Sequence, residues 1–153
     1  MNRSVDHLAR RLHEAGCRYA FGMPGGEVLT LIDALEQAGI EFVLCKHENA
    51  AGFMAEGVYQ RTLAPGVLVT TLGPGLANAV NVIAHAQQDR VPLIVLSGCV
   101  DDDEALTYTH QIFDHEALLS PICKATYKLS RKSADIIADR AITKALEDQP
   151  GPV

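Results

Sequence analysis

The segment KHENAAGFMAEG, residues 46–57, places one carboxylate, Glu48, between a predicted strand and a run of small residues. Three kinds of chemistry are open to it. At the start of a helix it would meet the partial positive charge of the helix N-terminus, worth roughly 0.3–1 kcal/mol. In a zinc-protease helix it would need the pattern H-E-x-x-H, but Ala51 stands where the second histidine belongs. As a lone acid–base it would need burial. Ala50, Ala51, Gly52 and Phe53 give it few polar neighbours in sequence. A desolvated carboxyl has a raised pKa, holds a proton near neutral pH and can protonate a heterocyclic nitrogen.

Three further loops are candidates for ligand contact: GMPGGE (22–27), TLGPGLAN (71–78) and SGCVDDD (97–103). Small side chains there let a flat ligand or another backbone come close. Gly73-Pro74-Gly75 follows a predicted strand and opens a predicted helix, so its backbone N–H groups could face an anion. The dinucleotide fingerprint G-x-G-x-x-G is incomplete there, because its last position is Asn78. The first loop misses it too: Gly22, Gly25 and Gly26 have the wrong spacing and Pro24 intrudes. Glu48 nonetheless lies about 20 residues on, where a dinucleotide site would want an acid. No phosphate-binding G-x-x-x-x-G-K-[ST] loop occurs.

These residues need a scaffold. Ser4 can cap a first helix, with Val5, Leu8, Ala9, Leu12 and Ala15 on one face and Gly16 at its stop. Strand, loop and helix then alternate. CRYAFG precedes EVLTLIDALEQA, IEFVLC precedes ENAAGFMAEGVYQR, GVLVTT precedes LANAVNVIAHAQQD, and VPLIVLSG follows. The strands are short continuous apolar runs, as expected when both faces are covered. The pattern predicts an α/β fold, a doubly wound and mostly parallel six-stranded sheet with helices on both faces. The fifth strand is predicted at ATYKLS and the sixth at the closing PGPV. Between them SADIIADRAITKALEDQ is amphipathic, with Ile136, Ile137, Ala141, Ile142 and Ala145 as its buried stripe. A sixth strand that stops at its first apolar residue buries almost nothing. The expectation is therefore that residues 1–153 form one N-terminal domain excerpted from a longer multidomain protein.

Composition narrows the partners. A formal charge of −6 argues against nucleic acid, whose phosphates favour a basic footprint. No apolar run approaches the roughly 20 residues of a membrane helix, and the charged N-terminus is not a signal peptide. Cys17, Cys45, Cys99 and Cys123 show no C-x-x-C spacing and read as reduced, mostly buried thiols of a cytoplasmic protein. The run Asp101-Asp102-Asp103-Glu104 reads as a solvated loop rather than a metal site.

In order and spacing, YAFGMPGGE, KHENAAGFMAEGVYQR, GVLVTTLGPGLANAVNVIAHAQQDRVPLIVLSG, HQIFDH and PGPV together give a specific pattern. Nearly the whole chain resembles the N-terminal pyrimidine-binding domain of thiamine diphosphate enzymes, acetolactate synthases above all. The resemblance implies that Glu48 hydrogen-bonds N1′ of the cofactor's aminopyrimidine. That favours the imino tautomer, whose N4′ takes the proton from thiazolium C2; the resulting ylid attacks a 2-oxo acid. It further implies that Met23, Pro24 and Gly25 line the pyrimidine pocket, with Met23 standing where relatives often have Tyr. Thr71, Pro74 and Asn78 would lie near the cofactor. Gln111 would match the glutamine of the family's Phe-Gln-Glu stretch and face the reaction centre, although its neighbours here are His110 and Ile112. The family's diphosphate and Mg²⁺ are held by a Gly-Asp-Gly…Asn domain that is not in this chain, so Mg²⁺ ligands must come from elsewhere. Some relatives also carry FAD in a middle domain, on which these residues are silent. Active sites between two subunits imply a homodimer or homotetramer. The helix after Glu48, with Gly52, Ala55, Gly57 and Tyr59, offers small residues for close pairing. Three other readings remain: a stand-alone small subunit of a two-chain decarboxylase of the sulfopyruvate type, a non-catalytic module keeping the fold, and an NAD-binding domain.

Overall fold

The computed structural model describes residues 3–100, 107, 109–130 and 132–153. The acidic run 101–104 lies outside the described residues. In chain order the elements are α1 (Ser4–Glu14), β1 (Tyr19–Gly22), a 3-10 turn (Gly26–Val28) leading into α2 (Leu29–Gln37), and β2 (Glu41–Leu44). Then come α3 (Glu48–Thr62), β3 (Gly66–Thr70), α4 (Pro74–Gln88), β4 (Leu93–Ser97), α5 (His115–Leu119) and α6 (Ala134–Leu146).

The sheet has four parallel strands in the order β2-β1-β3-β4. The chain steps from β1 outward to β2, then crosses back to β3 and on to β4. Right-handed crossovers therefore put α2 on one face and α3 and α4 on the other. The order reverses between β1 and β3, and a sheet of this kind opens a crevice there, at the carboxyl ends of those two strands. Pairing is regular: Tyr19 to Gly22 of β1 align with Glu41 to Leu44 of β2.

Burial on both faces follows from alternation within apolar strands. Ala20, Val67, Val69 and Ile94 meet Leu8, Leu12, Leu31, Leu35, Ala138 and Ala145 of α1, α2 and α6. Phe21, Leu68 and Leu93 point the other way, onto Ala51, Ala55, Leu76, Ala79, Val82, Ile83 and Leu119 of α3, α4 and α5. Successive side chains of one strand thus feed two cores.

Four expectations change. Among the described residues the sheet has four strands and not six. ATYKLS forms no strand: Ala125 and Leu129 pack on the first core, and just before the stretch the Lys124 N–H donates to the Pro152 carbonyl. PGPV does enter the sheet, because Val153 N–H donates to Leu93 and Val95 N–H to Val153, the pattern of a parallel ladder beside β4. The α6 stripe is Ala134, Ala138 and Ala145, with Ala141 and Ile142 partly buried, and Ile136 faces solvent. At the N-terminus Ser4 is the first helical residue; Arg3 is the cap, its N–H bonded to Asp6 Oδ2 at 2.7 Å.

Candidate functional site

The crevice gathers the loops after β1, β2, β3 and β4. His47 closes the loop after β2 in extended backbone, and its Nδ1 accepts the Asn49 N–H at 3.1 Å, capping α3. The histidine of the His-Glu pair is thus committed to the helix end. Glu48 is the next residue and the first of α3, where unpaired backbone N–H groups favour negative charge. Its side chain turns inward and is 4% exposed.

Asn78, one turn into α4, donates from Nδ2 to Glu48 Oε2 at 3.1 Å. Oε1 faces the glycine loop: a Cβ on Gly75 would lie 3.3 Å from Glu48 Oε1 and 2.2 Å from Thr71 Oγ1. A Cβ on Gly25 would strike Thr71 Cγ2 at 2.4 Å. Glycine at 25 and 75 therefore lets the loops after β1 and β3 close around Thr71 beside the carboxylate. A side chain at either position would strike Thr71. The Thr71 carbonyl also accepts from Ser97 Oγ at 3.3 Å, tying in the end of β4.

The structure thus brings Gly25, Glu48, Thr71 and Asn78 together. Pro74 sits exposed at the first position of α4, where proline's missing N–H costs nothing. Met23 and Pro24 lie in the loop after β1, half-buried and exposed respectively. Gln111 reaches this region through its backbone. It has φ +60, and its carbonyl lies 2.0 Å from where a Gly73 Cβ would stand. Its side chain is exposed.

Residue-by-residue reading missed three neighbours. His115 Nε2 accepts the Gly73 N–H at 3.0 Å, and burial pushes its imidazole below its ordinary value against the pull of Asp114. Glu27 Oε1 accepts weakly from Leu72 N–H at 3.4 Å, and a Cβ on Gly98 would meet the Glu27 Cγ at 2.6 Å, so this carboxylate joins three loops. Glu56, 6% exposed, faces His85 of α4. Only the position of His115 inside HQIFDH offered a sequence signal; the other two depend on contacts between loops or helices.

A concavity of about 300 Å³ lies elsewhere, lined by Tyr127 and by Asp139, Arg140, Thr143 and Lys144 of α6 with Glu147, and it holds none of these residues. The four thiols are free; burial pushes Cys17 up to about 11 and Cys123 up to about 12, which leaves both protonated and unreactive at neutral pH. Among the described residues no helix is long and apolar enough to cross a membrane.

The doubly wound parallel sheet thus brings one buried carboxyl and one amide together beyond the carboxyl ends of its strands. The chain belongs to the family described as thiamine pyrophosphate enzyme, N-terminal TPP binding domain, which matches residues 2–118. It is 38% identical over 152 residues to the acetolactate synthase isozyme 3 large subunit of Escherichia coli, covering 97% of this chain and 26% of that protein. It is 40% identical over 149 residues to the acetolactate synthase large subunit of Lactococcus lactis, covering 95% and 26%. With the acetolactate synthase of Bacillus subtilis it shares 37% over 123 residues, covering 80% and 22%. The chain spans about a quarter of the length of these relatives.

Proposed function

We propose that this chain is the pyrimidine-binding domain of a thiamine diphosphate-dependent carboligase or decarboxylase acting on 2-oxo acids, acetolactate synthase-like. The carrying observation is the buried Glu48, with the Asn78 amide on Oε2 and Oε1 turned to the glycine loop at Gly75. When bound, thiamine diphosphate supplies the stabilised carbanion that 2-oxo acid chemistry needs. Glu48 Oε1 would be the oxygen offered to a ring nitrogen of the pyrimidine. Asn78 fixes the carboxyl plane so that this oxygen, and not its twin, meets the ligand. Gly25 and Gly75 let the loops after β1 and β3 pack against Thr71 beside the carboxyl, and the backbone of Gln111 covers Gly73.

These residues fit the pyrimidine end of the cofactor. In this proposal the diphosphate and Mg²⁺ are held by a further domain of the complete protein, with the site completed by a second copy in a homodimer or homotetramer in the cytoplasm. Of the small residues of α3 offered for pairing, Gly57 is exposed with nothing beside it, while two others are already engaged. Gly52 packs on Val82 of α4, and Ala55 on Gly66 at the start of β3, both within one chain.

The test is Glu48→Gln in the complete protein, with turnover of a 2-oxo acid measured alongside thermal unfolding. Turnover should fall about 10²–10⁴-fold, the scale of a lost general acid–base, while the unfolding midpoint stays within a few degrees. Unchanged turnover would remove Glu48 from the mechanism.

A further inference from the structure

Glu48 and Asn78 form one end of a seam between α3 and α4. Both helices follow parallel strands on the same face, so they run the same way. Three side-chain pairs bridge them in order: Asn78 to Glu48 at 3.1 Å, Asn81 to Asn49 at 3.1 Å, and His85 Nδ1 to Glu56 at 3.1–3.2 Å. Glu56 lies two turns beyond Glu48 on α3, and His85 two turns beyond Asn78 on α4. Between the ends, Gly52 meets Val82 so closely that an added Cβ would stand 2.3 Å from Cγ1. The glycine lets the helices come close, with Val82 seated in its notch.

The pair at the far end is held on several sides. Glu56 is 6% exposed, so an uncompensated charge there would be costly. The His85 ring is set by Glu56 from α3, by Asp89 Oδ2 at 3.5 Å on its own helix, and by the edge of Phe53 at a centroid distance of 5.0 Å. The middle pair is exposed and correspondingly weak. Glu56 is buried while the His85 side chain is 43% exposed, and setting register is the best-attested use of a buried polar group between helices.

We propose that Glu56 and His85 act as a positioning latch. The pair sets the register of α3 on α4 and thereby holds the Asn78 amide on Glu48 Oε2. Its effect on cofactor activation rests on the role proposed for Glu48; the latch itself is a property of the two helices.

The test reads the Asn78 side-chain amide by NMR in the 153-residue chain with no cofactor added. H85A should shift both Asn78 Hδ2 signals and speed their exchange with water about threefold or more, as expected for one weakened hydrogen bond. H85Q, which keeps an N–H to offer Glu56, should return both towards wild type. Unchanged Asn78 signals in folded H85A overturn the latch, as do equal shifts in H85A and H85Q. Should H85A not fold, E56L replaces it, removing the buried charge together with the pair. Shifted Asn78 signals in E56L support the latch and unmoved ones overturn it. Failure of the complete protein to bind thiamine diphosphate would overturn the reading of Glu48 and leave the latch standing, because the amide is read without the cofactor.

Discussion

The two faces of the sheet solve the same packing problem with different residues. Under α1, α2 and α6 the core is large and aliphatic, with Leu8, Leu12, Leu31 and Leu35. Charge stays at the rim, where Arg3 pairs with Asp6 and Asp33, and Arg11 with Asp139, all at least partly exposed. Under α3 and α4 the residues are smaller, with Ala51, Gly52, Ala55, Ala79 and Ala86, and two carboxylates, Glu48 and Glu56, are drawn inside. Small residues let the helices approach until side-chain polar groups must find each other. One face supplies stability, and the other spends some of it on placing Glu48.

The comparison breaks first on activity. E48Q should cost the complete protein far more turnover than any truncation under α1, and a Leu12→Ala protein matching that loss at a temperature where it stays folded would erase the contrast. Next comes stability. Leu12→Ala should cost about 2–5 kcal/mol, the range for deleting a fully buried leucine, read from urea unfolding. Gly52→Ala should cost about 1–3 kcal/mol, because the new methyl strikes Val82 in a packed seam; a neutral result would show that the seam is looser than its distances.

A smaller effect is expected with pH. His115 is held neutral, accepting the Gly73 N–H, and burial lowers its imidazole from the ordinary 6.5. The unfolded chain takes up the proton first as pH falls below that value, so the stabilisation is present above it and lost as pH drops through the depressed folded value. The unfolding midpoint should therefore fall on acidification, and fall less in His115→Gln. An equal acid response in both chains would acquit His115. The smallest effect is at the rim: Arg11→Ala should leave the midpoint within measurement error, since exposed ion pairs contribute little.

The contrast also separates what was legible in the sequence. The four strands of the sheet, the stop at Gly16, and Glu48 at a helix start were readable, because each depends on neighbours in the chain. ATYKLS alternates like a strand, but alternation cannot supply a partner strand. Ile136 looks buried by type, yet the helix phase is set by Ala134, Ala138 and Ala145, whose small size brings α6 close to α1. Gly52 and Ala55 looked available for a second subunit because nothing local reveals that Val82 and Gly66 already occupy them. Asn78 was placed by family resemblance; its bond to Glu48, and that of His85 to Glu56, join residues about 30 positions apart and exist only once two crossovers have been wound.

Gly73 carries one more consequence. Its φ of +58 and ψ of −114 are the mirror image of a backbone conformation open to every ordinary residue, and an L-methyl would stand 2.0 Å from the Gln111 carbonyl. A D-alanine at this position, installed by chemical synthesis, turns its methyl away from that carbonyl and restricts the unfolded chain. The loop beside Glu48 is thus selective for handedness rather than for size: D-alanine should preserve it where L-alanine destroys it.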